Sequence, residues 1–393
     1  MQSSDKKKIL IRDFKHIEGK NCQLSSVRKL LNYYGINLTE EMIMGLASGI
    51  GFIYWDMKQM SCPFVGGLNG KDIDLFEKPL KNLGGSAVLF KQTTSRKVSY
   101  TQIKEILQAG EPFVSFADMA YLPYFFKEGE SYPNEAMHFG GHTFVVYGID
   151  ETMDIVNVSD RIRIPTTLTI EQYMDAHTSI HPPFASKNKK VILNAPTKSF
   201  DLKKCIVNAI RDNSEVMMNP PISNLGLKGM LKFEKMVKTT WMKFAPEKLL
   251  YTLYMTYVYN ATGGTGGALC RNMYTIFLNE AQEHVQDDNL SKATKLYELA
   301  ARAWDEVALS LLPNELPALK ETRGTIQDSN NVQEKIDDNY KKKLREIDEK
   351  WLSVKQDALK EVGTFESYVP KLQRNIREAY ELETEAWKYL KQI

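Results

Sequence analysis

The sequence predicts an α+β domain over residues 1–195, followed by an all-helical domain over residues 196–393. In the first part, short strand-like and helix-like segments alternate and are separated by turns containing Gly and Pro. After about residue 200 the strand patterns stop, and apolar residues recur every three or four positions, as in amphipathic helices. Prolines at positions 182, 183 and 196 bracket the expected boundary.

The first helix of the α+β domain is expected to begin at Cys22 and to end before Gly35. Its apolar residues share one helical face: Leu24, Val27, Leu30, Leu31 and Tyr34. Thr39 is expected to cap the next helix, because its hydroxyl can accept a hydrogen bond from a free backbone N–H. Further helices are predicted over 71–83 and 100–108, and strands over 86–90, 112–116, 142–147 and 154–158.

In the second domain, helices are predicted over residues 200–212, 226–258 with one break, 268–285, 291–312, 330–361 and 364–391. The pattern over 332–354 is a regular apolar stripe with charged residues on its other faces. This stripe favours packing within the protein's own helical bundle, and a partner-binding helix is the alternative.

The composition is typical of a globular protein, with 43% hydrophobic and 25% charged residues among 393. A formal net charge of +2 gives no general attraction to nucleic acid. We find neither a signal peptide nor an apolar run long enough to span a membrane, so we expect a cytoplasmic location. The cysteines are widely spaced, which argues against structural zinc and disulfides: Cys22, Cys62, Cys205 and Cys270.

Three residues in the first domain have the order and setting of a papain-like catalytic triad. Cys22 lies at a predicted helix start, where the helix dipole favours a thiolate. His142 opens a predicted strand and Asp160 ends the next one, so a base and its orienting partner could meet there. We therefore predict Cys22 as nucleophile, His142 as base and Asp160 as the residue that orients the base.

Each of these residues also has a structural explanation. A lone cysteine on a helix is usually a small core residue, and Asp160 could simply form a turn with Arg161. His138 is close enough to His142 to be a rival base or a substrate-binding residue. The combination of type, order and context is what favours the triad over three separate structural roles.

The group that would stabilise a developing oxyanion is less well defined by the sequence. The backbone N–H of Cys22 is one natural donor. Papain-like enzymes usually add a glutamine side chain just upstream, but residues 3–22 contain no glutamine. Asn21 and His16 are the candidates to replace it.

Several segments resemble the butirosin biosynthesis protein H family. The N-terminal resemblance is carried by residues 19–22, 30–36, 40–42, 47–52, 118, 122–124 and 138–142. The helical half resembles the domain of unknown function that accompanies that family, through residues 263–268, 271–274 and 277–281. Two positions depart from the pattern, since relatives often have His where Asn21 stands and Arg where Leu68 stands.

The resemblance implies a papain-like fold that moves an acyl group from a carrier-protein thioester onto an amine, which is an aminoglycoside in butirosin assembly. It implies an acyl or peptidyl carrier protein as partner, a phosphopantetheine-linked donor, a small amine acceptor, and no bound cofactor or metal. The sequence leaves the oligomeric state open, with a homodimer as one option. A peptidase or thioesterase using water as acceptor is the alternative enzyme. A non-catalytic binding protein is the alternative outside enzymes.

The glycine-rich segment 263–267 precedes a predicted helix, and such a segment can expose backbone N–H groups to an anion. Gly264, Gly266 and Gly267, with the charge of Arg271, are therefore candidates to bind the phosphate of phosphopantetheine. The segment lacks the GK[ST] ending of a nucleotide-binding P-loop. The alternative is a tight turn that lets the helix pack closely.

Overall fold

A computed structural model describes residues 8–58, 60–69, 73–90, 93–194 and 199–393. The chain divides into two compact units, and each unit combines segments that are distant in sequence. The first unit comprises Met1–Glu40, Gly84–Lys198 and Val332–Arg345, and the second comprises Glu41–Leu83, Ser199–Asn331 and Glu346–Ile393. The sequence instead predicts two continuous domains, 1–195 and 196–393. The predicted boundary at residue 195 itself lies outside the described residues.

The described strands are β1 Lys8–Leu10, β2 Ile50–Trp55, β3 Phe64–Leu68, β4 Ser86–Phe90, β5 Phe113–Ala117, β6 His142–Asp150, β7 Ile155–Ser159, β8 Thr166–Leu168 and β9 Lys190–Asn194. The described helices in the same part of the chain are α1 Cys22–Tyr33, α2 Glu40–Leu46, α3 Asp74–Asn82, α4 Arg96–Gln108 and α5 Ile170–Thr178. The strands predicted over 86–90, 112–116, 142–147 and 154–158 are confirmed as β4 to β7.

The later described helices are α6 Leu202–Met218, α7 Gly226–Thr239, α8 Pro246–Ala261, α9 Arg271–Gln282, α10 Asp288–Leu311, α11 Pro317–Lys335, α12 Tyr340–Glu361 and α13 Val369–Leu390. The protein is thus a mixed α/β chain with an N-terminal sheet and a helical C-terminal region. Among the helices described, none is long and apolar enough to cross a membrane.

The first unit is built on an antiparallel sheet with the strand order β4-β9-β5-β6-β7-β8, and β1 also pairs with β6. Helix α1 packs against β6. The register between β6 and β7 aligns Val145 with Ser159. Because the two strands are antiparallel, the residue after β7, Asp160, lies beside the start of β6, where His142 stands.

Two predicted helices have different limits in the structure. The helix predicted over 330–361 is interrupted, because α11 ends at Lys335, Ile336 has a left-handed φ of 31°, and α12 begins at Tyr340. The helix predicted from 268 begins at Arg271 instead, after three residues with positive φ: Ala268, Leu269 and Cys270. The apolar period continues through both sites, so the pattern alone did not show where the backbone changes conformation.

A buried ion pair joins helices in the second unit. The Arg271 guanidinium donates two hydrogen bonds to the Glu383 carboxylate, at 2.8 and 3.0 Å, and one to the Leu269 carbonyl at 2.8 Å. The indole N–H of Trp304 also donates to Glu383, at 2.7 Å. Both charged side chains are fully buried. The network therefore connects α9, α10 and α13 through fully desolvated hydrogen bonds.

Replacing Glu383 with Gln should strongly destabilise the protein. The amide keeps the size of the side chain but leaves the Arg271 charge buried without its counter-ion, which typically costs about 3–5 kcal/mol. The measurement is the midpoint of urea unfolding followed by circular dichroism.

The matched control is Glu385→Gln on the same helix, because Glu385 forms an ion pair with Lys388 that is largely exposed to solvent. Exposed pairs of this kind contribute little to stability. If the two variants have the same urea midpoint, the buried ion pair does not contribute the stability that we expect from it.

Candidate active site

Cys22 is the first residue of α1, as the sequence predicts. The carboxamide oxygen of Asn21 caps this helix, accepting hydrogen bonds from the backbone N–H groups of Gln23 at 3.0 Å and Leu24 at 3.1 Å. A capping side chain satisfies N–H groups that have no acceptor within the helix. The cap therefore fixes where the helix starts and keeps the thiol at the positive end of the helix dipole.

The segment before Cys22 is fixed by two further contacts. The Glu40 carboxylate accepts hydrogen bonds from the backbone N–H groups of Lys20, at 2.9 Å, and Asn21, at 2.6 Å. Gly19 lies so close to α1 that a Cβ there would be 2.2 Å from the Cβ of Ser25. Only glycine fits this approach without moving the helix, so the position of Cys22 depends on it.

His142 and Asp160 are both buried and are joined by a hydrogen bond of 2.7 Å between Nε2 and Oδ2. The carboxylate of Asp160 has two other donors. The Tyr124 hydroxyl donates to Oδ2 at 2.8 Å, and the backbone N–H of Arg161 donates to Oδ1 at 2.6 Å. Asp160 is therefore held from both sides, and it in turn holds the imidazole ring in one orientation.

The Cys22 thiol is partly exposed, and the His142 side chain lowers the pKa of the thiol through hydrogen bonding and charge. Since Nε2 of His142 is bonded to Asp160, Nδ1 is the ring nitrogen left for the sulfur. The backbone of Thr143 lowers the pKa of the thiol further. The structure joins the predicted base to its orienting residue by a hydrogen bond, and the predicted base acts on the pKa of the predicted nucleophile.

The electrostatics of these groups favour a thiolate beside an imidazolium. Burial alone would raise the pKa of the Cys22 thiol, but the hydrogen bond and charge of His142 bring it below its usual value. Burial alone would lower the pKa of His142, but the charge and hydrogen bond of Asp160 raise it instead. The pKa of Asp160 is lowered, because the charge of His142 outweighs the effect of burial.

The two oxyanion candidates have other contacts. His16 uses both ring nitrogens, with Nδ1 bonded to the Ser159 hydroxyl at 2.7 Å and Nε2 to the carbonyl of Ile162 at 3.0 Å. We predicted that His16 would donate to an oxyanion, but both of its ring nitrogens are bonded within the protein. The Asn21 oxygen serves as the helix cap, so any contribution of this side chain to an oxyanion site would come from its amide nitrogen.

His138, the rival base, belongs to a different cluster. Its Nδ1 is bonded to the buried Asp118 carboxylate at 2.8 Å and its Nε2 to Glu135 at 3.0 Å. Its ring also stacks on His181 with centroids 3.6 Å apart. Both of its nitrogens are occupied, so the arrangement favours His142 as the base.

The glycine-rich segment has internal roles in the second unit. Gly264, Gly266 and Gly267 supply positive φ values of 75°, 66° and 86° at the end of α8. The Thr265 hydroxyl donates to the Asn260 carbonyl at 3.1 Å and so closes the turn. We predicted that Arg271 would supply charge for a carrier phosphate. The structure places it in a buried ion pair with Glu383 instead, away from solvent. These residues fit the structural alternative, a tight turn that lets the helix pack closely.

Sequence reasoning missed the supporting roles of Tyr124 and Glu40. No sequence motif indicates either role, because both residues act through contacts with residues far away in sequence. In the sequence, both residues stand out only as part of the family resemblance, in the segments 122–124 and 40–42.

Family models match most of the chain. Residues 21–161 match the model described as butirosin biosynthesis protein H, N-terminal, and residues 171–323 match a domain of unknown function, DUF4872. These two matches confirm the resemblance to butirosin biosynthesis protein H that the sequence shows. No curated protein matches the chain significantly. The N-terminal match contains Cys22, His142 and Asp160.

Cys22 should react with iodoacetamide faster than an ordinary thiol at a pH below the usual thiol pKa of about 8.5, because its pKa is lowered and a larger fraction is thiolate there. Reactivity should fall as the pH drops further through that lowered pKa. Peptide mass spectrometry identifies the labelled cysteine. Cys62 is an internal control, since burial raises its pKa to about 11 and it should stay unlabelled.

His142→Gln should reduce this low-pH labelling at least about tenfold, because the charge that lowers the thiol pKa is removed. His284→Gln is the matched control, since His284 is exposed. Equal labelling of Cys22 in both variants would show that His142 does not activate the thiol.

Proposed function

We propose that this protein is a cysteine-dependent acyltransferase in which Cys22 is the nucleophile, His142 the base and Asp160 its orienting partner. The observation that carries the proposal is the buried hydrogen bond between His142 and Asp160, together with the effect of His142 on Cys22 at the start of α1, where it lowers the pKa of the thiol. The elements that present these groups are a helix start, a strand start and the end of the next strand. That arrangement supports a papain-like organisation of the first unit.

The reaction would proceed in two stages. The Cys22 thiolate attacks the carbonyl carbon of a thioester, and the departing thiol takes the proton from the His142 imidazolium. An amine then attacks the acyl-enzyme, neutral His142 accepts the proton of the amine, and Cys22 leaves as a thiolate. The first stage exchanges one thioester for another, and the second forms a more stable amide, so neither stage needs an external energy source.

The donor and acceptor are inferred from the family. The family name refers to the biosynthesis of butirosin, which supports a biosynthetic role for this chain. We propose that the donor is an acyl thioester on the phosphopantetheine of an acyl or peptidyl carrier protein in the cytoplasm. The acceptor would be the amine of a small molecule, and the product an amide natural product or its precursor.

The backbone N–H of Cys22 is the proposed oxyanion donor. It lies in the first turn of α1, where N–H groups have no acceptor within the helix. The Asn21 amide nitrogen is the proposed second donor, because the cap contacts of its oxygen fix the side chain beside the thiol.

Incubation with acyl-pantetheine thioesters and acylated carrier proteins should add the mass of the acyl group to the peptide that contains Cys22. Cys22→Ala should abolish the adduct without unfolding the protein. His142→Gln should slow adduct formation by roughly 10²- to 10⁴-fold, the usual contribution of a general base. Asp160→Asn should cost less, because it removes alignment but not the proton acceptor.

Adding a primary amine to the preformed acyl-enzyme should release the amide rather than the free acid. Release of free acid alone, at a rate that the amine does not change, would favour the thioesterase alternative. Full activity of Cys22→Ala would rule out the thiol mechanism.

A further inference from the structure

Lys29 is a buried cation on the same helix as Cys22. The two residues are seven positions apart, about two helical turns, and so lie on the same face of α1. The Lys29 side chain is 1% exposed, and its Nζ has no hydrogen-bond partner in the part of the chain that the structure describes. Lysine is rarely buried in this way, because a desolvated ammonium is costly unless it is paired and hydrogen-bonded.

Lys29 interacts with the charged or titratable groups Asp160, Glu40, Cys22, Arg28 and His16, and burial and the Lys29 charge together lower the pKa of His16. Asp160 follows β7, Glu40 begins α2, and Cys22 begins α1, and all three favour the charged ammonium. Arg28, its neighbour on α1, opposes it. The two carboxylates already have donors of their own, namely His142 for Asp160 and the backbone before Cys22 for Glu40. Lys29 therefore interacts with them through charge rather than through a hydrogen bond.

The charged Lys29 side chain opposes folding, because it is buried without a hydrogen-bond partner among the described residues. Burial lowers its pKa to about 8, despite the opposing effect of Asp160 and Glu40. A base whose pKa is lowered on folding disfavours the folded state while it is protonated. That penalty is present at neutral pH and is relieved as the pH rises from about 8 towards the pKa of the unfolded chain. An apolar side chain of the same length should fit the site at lower cost.

The negative charge beside the thiol supplies a different reason for the ammonium. The charge of Asp160 disfavours a thiolate at Cys22. Glu40 adds a second carboxylate whose hydrogen bonds hold the backbone next to the thiol. A cation in the same buried region offsets both carboxylates, and its effect is strong because little water screens it.

We propose that Lys29 is a positioning residue of the thiol site, whose buried ammonium offsets the charges of Asp160 and Glu40 and so favours the Cys22 thiolate. The proposal rests on the proposed thiol mechanism for its biological meaning. The experiment that tests it measures only the thiol and needs no acyl donor.

Lys29→Met removes the charge and keeps the length of the side chain. The pH profile of Cys22 alkylation by iodoacetamide, read by peptide mass spectrometry in the full chain, should move to higher pH. At a pH roughly two units below the ordinary thiol pKa, the rate should fall about 5- to 10-fold. The melting temperature of the same variant should stay the same or rise. A purely structural lysine would show the opposite result, a lower melting temperature and an unchanged pH profile.

Arg28→Met is the matched control, because it removes the same charge from the adjacent, less buried position of the same helix. It should leave the pH profile of Cys22 in place. Lys29→Arg should keep most of the reactivity, since it retains a cation. An equal shift in Arg28→Met, or no shift in Lys29→Met, overturns the proposal.

Lys29→Gln serves as a second neutral variant if Lys29→Met does not fold. If neither variant has the circular dichroism spectrum of the parent, Lys29 is required for folding and the proposal is wrong. Loss of thiol reactivity in Lys29→Met together with no acyl adduct in the parent protein would leave the role of Lys29 intact and reject the acyltransferase function alone.

Discussion

The hydrogen bond between His142 and Asp160 is the contact on which the candidate site depends. It exists because β6 and β7 pair antiparallel in a register that brings the end of one beside the start of the other. A shift of one residue would turn Asp160 to the opposite face of the sheet. The buried carboxylate would then have no imidazole to offset its charge, and the imidazole would lose the group that fixes its orientation.

The start of α1 is the second part of the site, and its position comes from several small constraints acting together. Asn21 caps the helix, Glu40 binds the two backbone N–H groups before Cys22, and Gly19 allows the chain to approach the helix closely. None of these contacts involves the thiol. Together they decide where the sulfur lies relative to the sheet, and a thiol must meet its base within about hydrogen-bond distance to be activated.

Two buried cations in this protein illustrate different uses of charge. Arg271 is bonded to Glu383 through two parallel hydrogen bonds, so its burial is compensated and its role is to join helices. Lys29 has carboxylates near it but no hydrogen bond to them. Arginine suits the first role because its planar group matches a carboxylate, whereas a lysine ammonium acts as a compact point charge.

The sequence by itself determined the strands β4 to β7, the helical character of the second half, and the three residues of the candidate triad. These features are local, since they depend on the period of apolar residues, on a helix-start signal at Cys22 and on strand ends at His142 and Asp160. The family resemblance also followed from the sequence, because short runs of residues carry it.

Only the tertiary structure decided which side chains serve the site and which serve the fold. It assigned Arg271 to a buried ion pair, His16 and His138 to other hydrogen bonds, and Tyr124 to Asp160. It also showed compact units that combine distant segments of the chain. The physical reason is the same in each case: burial and hydrogen-bond partners depend on contacts between residues far apart in sequence, and no local pattern encodes them.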